Sequence, residues 1–183
     1  MGSAIVFVVG TAFFAWVSRR SFLKPRSHGF YRFFAWECIL ALALVNFPMW
    51  DVDPLAPHQI ASWSLLLISP VLAIHSVRLL RRLGKPGAQR TDAELLSFEK
   101  TSRLVTTGAY RYIRHPMYTA LLLLAWGAFL KDTSVASVAL VAGASVMIVF
   151  TALRDEAECR GYFGVAYAEY MKKTSERFIP FLL

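Results

Sequence analysis

Five blocks of predominantly apolar residues alternate with polar connections along the chain. They occupy residues 4–17, 31–50, 60–80, 118–130 and 134–153. A helix needs roughly 20 apolar residues to cross the hydrocarbon core of a bilayer. Three of the blocks reach this length, and the first and fourth approach it when neighbouring uncharged residues are included. The pattern predicts an all-α integral membrane protein with about five transmembrane helices.

The last two apolar blocks are separated only by the turn 131–133. A connection this short joins neighbouring antiparallel helices, so the two blocks predict a C-terminal helical hairpin. Its first helix reaches span length only if it begins near Pro116, and proline suits the first helical turn. Alanine, glycine and serine between 136 and 145 predict a small-residue packing face on the second helix. The segments at the mouth of the hairpin, 114–116 and 154–156, are therefore expected to lie side by side.

Two amphipathic segments flank the hairpin. Residues 91–103 predict a short interfacial helix, with Glu99 facing water and three apolar residues facing lipid. These three residues are Leu95, Leu96 and Phe98. After the hairpin, apolar and aromatic residues recur at helical spacing and predict an amphipathic cytoplasmic tail helix that folds back over the hairpin mouth. They are Phe163, Ala166, Tyr167 and Tyr170.

The distribution of basic residues sets the expected orientation. The chain has a net charge of +8, and its 20 lysines and arginines lie almost entirely in segments 19–32, 78–114 and 154–177. Each segment borders an apolar block, and such basic connections remain on the cytoplasmic side of a membrane. We expect the N-terminus outside, and the C-terminus and the hairpin mouth on the cytoplasmic face. Nucleic-acid binding explains this distribution less well than contact with membrane lipids does.

The composition supports this interpretation. Hydrophobic residues make up 56% of the 183 residues and charged residues 17%, which is outside the usual range of soluble domains. Two cysteines, Cys38 and Cys159, suit neither a disulfide framework nor a metal site, so we expect free thiols and no bound metal. We expect one membrane domain over 1–183, with N-terminal spans in 1–90 and the core of the site in 91–183.

The stretch 108–118 is unusual between apolar blocks, because arginine and histidine lose hydration there and proline removes a backbone donor. It reads Gly-Ala-Tyr-Arg-Tyr-Ile-Arg-His-Pro-Met-Tyr. A second group follows the hairpin and comprises Asp155, Glu156, Phe163, Gly164, Tyr167, Tyr170, Ile179 and Pro180. Over about 104–180, the two groups resemble the signature of the isoprenylcysteine carboxyl methyltransferase and phospholipid methyltransferase family. The chain departs from that pattern at Asp155, where glutamate is common, at Ala120, where glycine is common, and in the spacing of the basic residues before the last proline.

The resemblance implies S-adenosylmethionine as the cofactor. Arg114 and His115 suit its carboxylate through charge-assisted hydrogen bonds, and nearby tyrosines suit its adenosine. The alternative for Arg114 and the tyrosines is contact with lipid headgroups at the interface. Glu156 suits the ribose or the ammonium, or it orients a basic residue. The alternative role for Glu156 is a salt bridge to Arg154 or Arg160 on a solvated helix end. The implied cofactor-binding residues are Gly108, Tyr110, Tyr112, Arg114, His115, Pro116, Tyr118 and Glu156.

The resemblance also implies a lipidic or prenylated methyl acceptor, whose chemistry decides which residues act in catalysis. A carboxylate acceptor needs a cation to position it, and the implied catalytic residues are then Glu156, Arg154, Lys173 and Arg177. An amine acceptor must lose a proton, which requires His115, Glu156 or water. The many cations favour a carboxylate, as in methylation of an isoprenylcysteine. The alternatives are an aminophospholipid N-methyltransferase and a non-catalytic membrane protein of the same fold, and the oligomeric state is open.

Overall fold

The structure is a computed structural model that describes residues 2–85, 87 and 95–179. Within these residues, six α-helices are joined by turns and short 3-10 helices, so the expected all-α class is confirmed. The helices are α1 (Gly2–Ser18), α2 (His28–Val45), α3 (Pro57–Leu83), α4 (Pro116–Phe129), α5 (Val135–Phe163) and α6 (Val165–Lys173).

Each of the five apolar blocks forms a helix, but the helices differ in length. α2, α3 and α5 are long and apolar enough to cross a membrane. α1 and α4 are apolar but have only 17 and 14 residues. At 1.5 Å per residue, α4 is roughly 21 Å long, compared with about 30 Å for the hydrocarbon core. The apolar outer surface of the bundle, which includes exposed Val8 and Val71, suits a lipid environment.

The core of the bundle lies around the hairpin that α4 and α5 form. α2 packs mainly against α5, α3 packs against α4, and α4 contacts α5. Ala125 of α4 and Ala144 of α5 are fully buried, which lets the helices approach closely. The expected small-residue face of α5 is correct at Ala144, but Ala139 and Ala142 are exposed. The helical period instead selects a buried face made of Val141, Ala144, Ile148 and Ala152.

α5 is longer than the apolar block that predicts it. The helix continues past residue 153 to Phe163, so the charged residues there lie on a rigid extension of a membrane helix. Gly164 follows with a φ of +57°, a left-handed conformation that glycine adopts readily, and the chain turns into α6. Tyr167 and Tyr170 on α6 are buried. The expected tail helix is therefore present.

The prediction of an interfacial helix over 91–103 is wrong for the residues that the structure describes. Residues 95–103 form turns and bends, and residues 91–94 lie outside the described residues. Leu95 is buried instead of facing lipid, and the side chain of Glu99 is only 9% exposed instead of facing water. The reason is an ion pair between Glu99 and Arg32 of α2, which draws this segment against the bundle.

The connections of the helices define two ends of the bundle. α1, α3 and α5 end, and α2 and α4 begin, at what we call the site end. At the far end, Asn46 Nδ2 donates hydrogen bonds to the carbonyl oxygens of Ala128 at 2.9 Å and Asp132 at 3.1 Å. Lys131 Nζ donates to Gln59 Oε1 at 2.8 Å. These bonds attach the hairpin turn to the end of α2 and the start of α3. The charged segments meet at the opposite end of the bundle, the site end.

Candidate active site

The entry to α4 and the charged extension of α5 meet at the site end. His115 directly precedes α4, and its Nε2 lies 3.3 Å from Oε1 of Glu156 on α5. The two residues are 41 positions apart in the sequence. The hairpin brings them together, so the expected adjacency of 114–116 and 154–156 is confirmed.

Glu156 is the centre of a buried ion cluster. Its side chain is 2% exposed, and Oε1 accepts hydrogen bonds from Arg114 Nε at 2.9 Å and Arg177 Nε at 3.0 Å. His115 approaches the same oxygen. A carboxylate is stable in such a buried place only when cations and hydrogen-bond donors compensate for its lost hydration. Glu156 therefore holds three basic side chains in fixed positions.

The segment 174–178, here called the strap, binds along the entry to α4. The backbone N–H groups of Arg114 and His115 donate to the carbonyl oxygens of Glu176 at 2.9 Å and Arg177 at 3.0 Å. The guanidinium of Arg114 also donates to carbonyl oxygens of the strap. Because the strap satisfies these backbone donors, the residues before α4 keep one conformation.

The tail helix is attached to the motif by hydrogen bonds as well. The hydroxyl of Tyr170 donates to the carbonyl oxygen of Tyr110 at 2.6 Å, and Thr174 Oγ1 donates to that of Arg111 at 3.2 Å. Burial raises the pKa of Tyr110 well above its usual range, so this phenol remains protonated. The tail thus covers the stretch 108–118, as its aromatic pattern predicts.

A cavity lies beside the ion cluster and contains about 660 Å³ of empty space, part of it open to solvent. Charged residues of its lining are Arg114, His115 and Asp155 from the hairpin, and Glu99 from the segment before the motif. The aromatic residues of the lining are Tyr110, Tyr118, Phe163, Tyr167 and Tyr170.

His115 is held from several sides. Its Nδ1 lies 3.4 Å from Oδ2 of Asp155, opposite the nitrogen that faces Glu156. The ring of Tyr118 stacks on it with centroids 5.2 Å apart. Burial lowers the pKa of His115, but the hydrogen bonds with Asp155 and Glu156 outweigh burial and raise the pKa above its ordinary value of 6.5. The imidazole is thus fixed in orientation, and its charged form is favoured.

The structure places the implied cofactor-binding residues in different surroundings. Those that line the cavity are Tyr110, Arg114, His115 and Tyr118. Glu156 is buried in the ion cluster, and Pro116 is buried as the first residue of α4. Tyr112 is 55% exposed and stands outside the cavity lining described here.

Gly108 contributes through its backbone. It has a φ of +62°, and a Cβ at this position would come within 2.6 Å of Leu79 Cδ1 and 3.2 Å of His75 Nε2 on α3. Glycine therefore allows the motif to turn closely against α3.

The implied catalytic cations do not converge on the cavity. The Arg177 side chain is 43% exposed, and its Nε is bound to Glu156. Arg154 and Lys173 are exposed and do not belong to the described cavity lining. The roles assigned to these three residues and to Glu156 remain predictions.

Sequence reasoning missed Glu99 and the α2 residues that hold it. Arg32 Nη1 donates to Glu99 Oε1, and His28 Nε2 lies 3.5 Å from Glu99 Oε2. On its other side, His28 Nδ1 lies 2.6 Å from Oε2 of Glu158. His28 and Arg32 stand four positions apart on one face of α2, which is a signal in the sequence. Their partner Glu99 is 67 positions from Arg32, and no local pattern connects the two.

The fold and the site together define a class of protein: a membrane helix bundle with a charged, aromatic-lined cavity at one end. A family model described as phospholipid methyltransferase matches residues 59–164, which is more than half of the 183 residues and covers α4, α5 and nearly all of α3. The chain belongs to the phospholipid methyltransferase family, which makes it a membrane methyltransferase by family. No curated protein and no solved structure matches the chain.

Proposed function

We propose that this chain uses S-adenosylmethionine to methylate a lipidic acceptor at the cytoplasmic face of the membrane. The observation that carries the proposal is the cavity in which Arg114, His115 and Asp155 converge at the mouth of an apolar hairpin. A charged cavity beside lipid-facing helices suits a reaction between a water-soluble cofactor and a membrane-dissolved acceptor. The family membership supports the reaction class, methyl transfer.

The chemistry of the cavity lining fits this cofactor, which carries a carboxylate, an ammonium, a ribose diol and an adenine. Arg114 and His115 supply positive charge for the carboxylate. Asp155 supplies a hydrogen-bond acceptor for an ammonium or a hydroxyl group. Tyr110 and Tyr118 supply aromatic surface for the adenine. When bound, the cofactor supplies an electrophilic methyl group.

The residues of the chain contribute binding and orientation. Methyl transfer needs little covalent help from a protein, and orientation alone accounts for up to roughly 7–11 kcal/mol of rate acceleration in favourable cases. Glu156 holds Arg114 and His115 through its buried carboxylate, and the strap holds the backbone of the same two residues. The charged wall is therefore preorganised before any ligand binds.

The cavity favours an amine as the acceptor group, in contrast to the carboxylate that the sequence favours. Of the cations expected to position a carboxylate, Arg154 and Lys173 lie outside the described lining, and Arg177 is bound to Glu156. The lining contains the carboxylates Asp155 and Glu99. We therefore propose N-methylation of an amine that carries an apolar tail.

Carboxyl methylation of an isoprenylcysteine-like molecule is the second candidate. The supporting observation is the partial exposure of Arg177, whose side chain is 43% exposed next to the ion cluster. A guanidinium in that position can bind a carboxylate that enters from the rim of the site. Labelled-methyl transfer to matched amine and carboxylate acceptors distinguishes the two candidates.

The proposal is tested first by equilibrium binding of S-adenosylmethionine to the purified protein in detergent. Wild type should bind it, and His115→Ala should bind it at least about tenfold more weakly, as for the loss of a charge-assisted hydrogen bond. The control His58→Ala changes an exposed histidine at the far end and should retain wild-type affinity. No binding to wild type would contradict the proposed function. Equal affinity of wild type and His115→Ala would remove His115 from the site.

A further inference from the structure

One carboxylate of the cavity comes from outside the hairpin. Glu99 lies in the segment 95–105, and its side chain is 9% exposed while it lines the cavity. Arg32 Nη1 donates to Oε1, and the backbone N–H of Leu96 donates to Oε2 at 2.8 Å. His28 Nε2 lies 3.5 Å from Oε2. A carboxylate offers about four acceptor positions, so Glu99 retains capacity for a further donor on its cavity side.

The side chains that hold Glu99 are themselves fixed inside the bundle. His28 and Arg32 are 0% and 2% exposed. His28 Nδ1 is 2.6 Å from Glu158 Oε2, and the guanidinium of Arg32 lies over the ring of Trp36 at 5.0 Å. Burial raises the pKa of Glu99, but Arg32 and His28 outweigh burial and hold it well below its usual range. Glu99 is therefore an anion of fixed position.

Stability alone does not account for this arrangement. Buried ion pairs contribute little net stability, because the desolvation of both charges offsets their attraction. Two further nitrogens of Arg32, Nε and Nη2, are buried without a hydrogen-bond partner among the described residues, and such groups are unfavourable. The pair instead keeps an ionised carboxylate at the surface of the cavity.

The residues around Glu99 in the cavity lining indicate which chemical group of a ligand its carboxylate would bind. The same segment and the end of α3 line the cavity with apolar side chains, which are Leu80, Leu95, Leu104 and Val105. The aromatic and cationic residues of the lining come instead from the motif and from α5 and α6. Among the described residues, this wall thus presents the carboxylate of Glu99 and the hydroxyl of Thr101 in an otherwise apolar surface, which suits a cationic head joined to an apolar tail.

We propose that Glu99 is a specificity-determining residue that binds the amine head of the acceptor, with Arg32 and His28 as positioning residues behind it. The inference rests on the proposed function and assigns its acceptor side to the segment 95–105, which α2 holds in place. The cofactor side then belongs to the motif 108–118 and to Asp155.

The test compares Glu99→Gln with Glu158→Gln in the full-length protein. Both substitutions remove a charge that contacts His28, but only Glu99 lines the cavity. For a long-chain amine acceptor, Glu99→Gln should raise KM at least about tenfold and leave the dissociation constant of S-adenosylmethionine unchanged. Glu158→Gln acts on the cavity only through His28, so it should raise KM clearly less than Glu99→Gln does and keep the cofactor affinity. Equal KM changes in the two variants, or a weakened cofactor affinity in Glu99→Gln alone, would overturn the proposal.

A binding measurement keeps the test independent of turnover. Dodecylamine should raise the Tm of wild type more than dodecanoate does, and Glu99→Gln should abolish this preference. An unchanged preference in Glu99→Gln contradicts the role of Glu99. If wild type shows the preference but transfers no methyl group to any acceptor, the proposed function fails while the assignment of Glu99 holds.

If Glu99→Gln does not fold, Glu99→Asp replaces it in both measurements. This variant keeps the negative charge that Arg32 requires but moves it one methylene away from the cavity. It should raise KM for the amine and retain cofactor affinity. A wild-type KM in Glu99→Asp would count against the proposal.

Discussion

At the scale of single residues, two adjacent carboxylates have different surroundings. Successive residues of an α-helix differ by about 100° in direction, so Asp155 faces the cavity and Glu156 faces the ion cluster. The sequence suggests that Glu156 either binds the ligand or orients a basic residue, and the structure surrounds it with Arg114, His115 and Arg177. In this environment its direct effect is to position those side chains.

The buried position of Glu156 predicts a large loss of stability on substitution. Glu156→Gln should lower the free energy of unfolding by about 3 kcal/mol, because the guanidinium of Arg114 then remains buried without its counter-charge. Denaturation in detergent measures this loss. The control Glu169→Gln changes an exposed carboxylate on α6 and should have an effect within about 0.5 kcal/mol. Equal stabilities of the two variants would show that the cluster does not stabilise the fold.

His115 predicts a pH dependence of stability. Its pKa in the folded protein is raised above 6.5, so folding favours the protonated ring. The stabilisation is complete below pH 6.5 and is lost as the pH rises through the folded-state pKa. The Tm difference between wild type and His115→Gln should therefore be largest in mildly acidic buffer and shrink as the pH rises. A difference that grows with pH would show that His115 is buried as the neutral ring.

At the scale of elements, the α4–α5 hairpin decides where the site forms. The short connection 130–134 at the far end makes the other two ends neighbours, and the buried alanines fix how closely the helices approach. The pattern of small residues identifies the second helix but not its buried face. That face depends on where α2 and α4 lie, because alanine occurs both at buried Ala144 and at exposed Ala142.

Close packing of the hairpin predicts different effects for two identical substitutions on α5. Ala144→Leu should destabilise the protein by about 1–3 kcal/mol, because the core around it has no room for three further carbon atoms. Ala142→Leu places the same side chain on the exposed face and should leave stability nearly unchanged. Thermal unfolding of both variants in detergent measures the difference. An equal loss in the two would contradict the buried face assigned to α5.

At the scale of the whole molecule, charge separates the two ends of the bundle. Nearly all of the described lysines and arginines lie at the site end, in its connections and in the adjoining parts of the helices, while Lys131 is at the far end with Asp51, Asp53 and Asp132. A membrane orients such a protein with its basic connections in the cytoplasm. The structure is consistent with this interpretation, but the orientation itself stays a prediction.

The orientation is testable with reporter fusions. Green fluorescent protein fused to the C-terminus should fluoresce, since it folds in the cytoplasm, and alkaline phosphatase at the same position should stay inactive. A fusion after Leu55, in the connection between α2 and α3, should give the opposite pattern. Active phosphatase at the C-terminus would place the site end outside and would contradict a cytoplasmic site.

The sequence by itself determined the apolar helices, the hairpin and the end of the bundle at which the motif lies. These follow from local patterns, because helical period and turn length act over a few residues. Only the tertiary structure decided the pairing of charges: Glu156 with Arg114 and Arg177, and Glu99 with Arg32. Each carboxylate has several possible partners of similar intrinsic affinity. Packing of the helices selects among them, because it determines which charges are buried together.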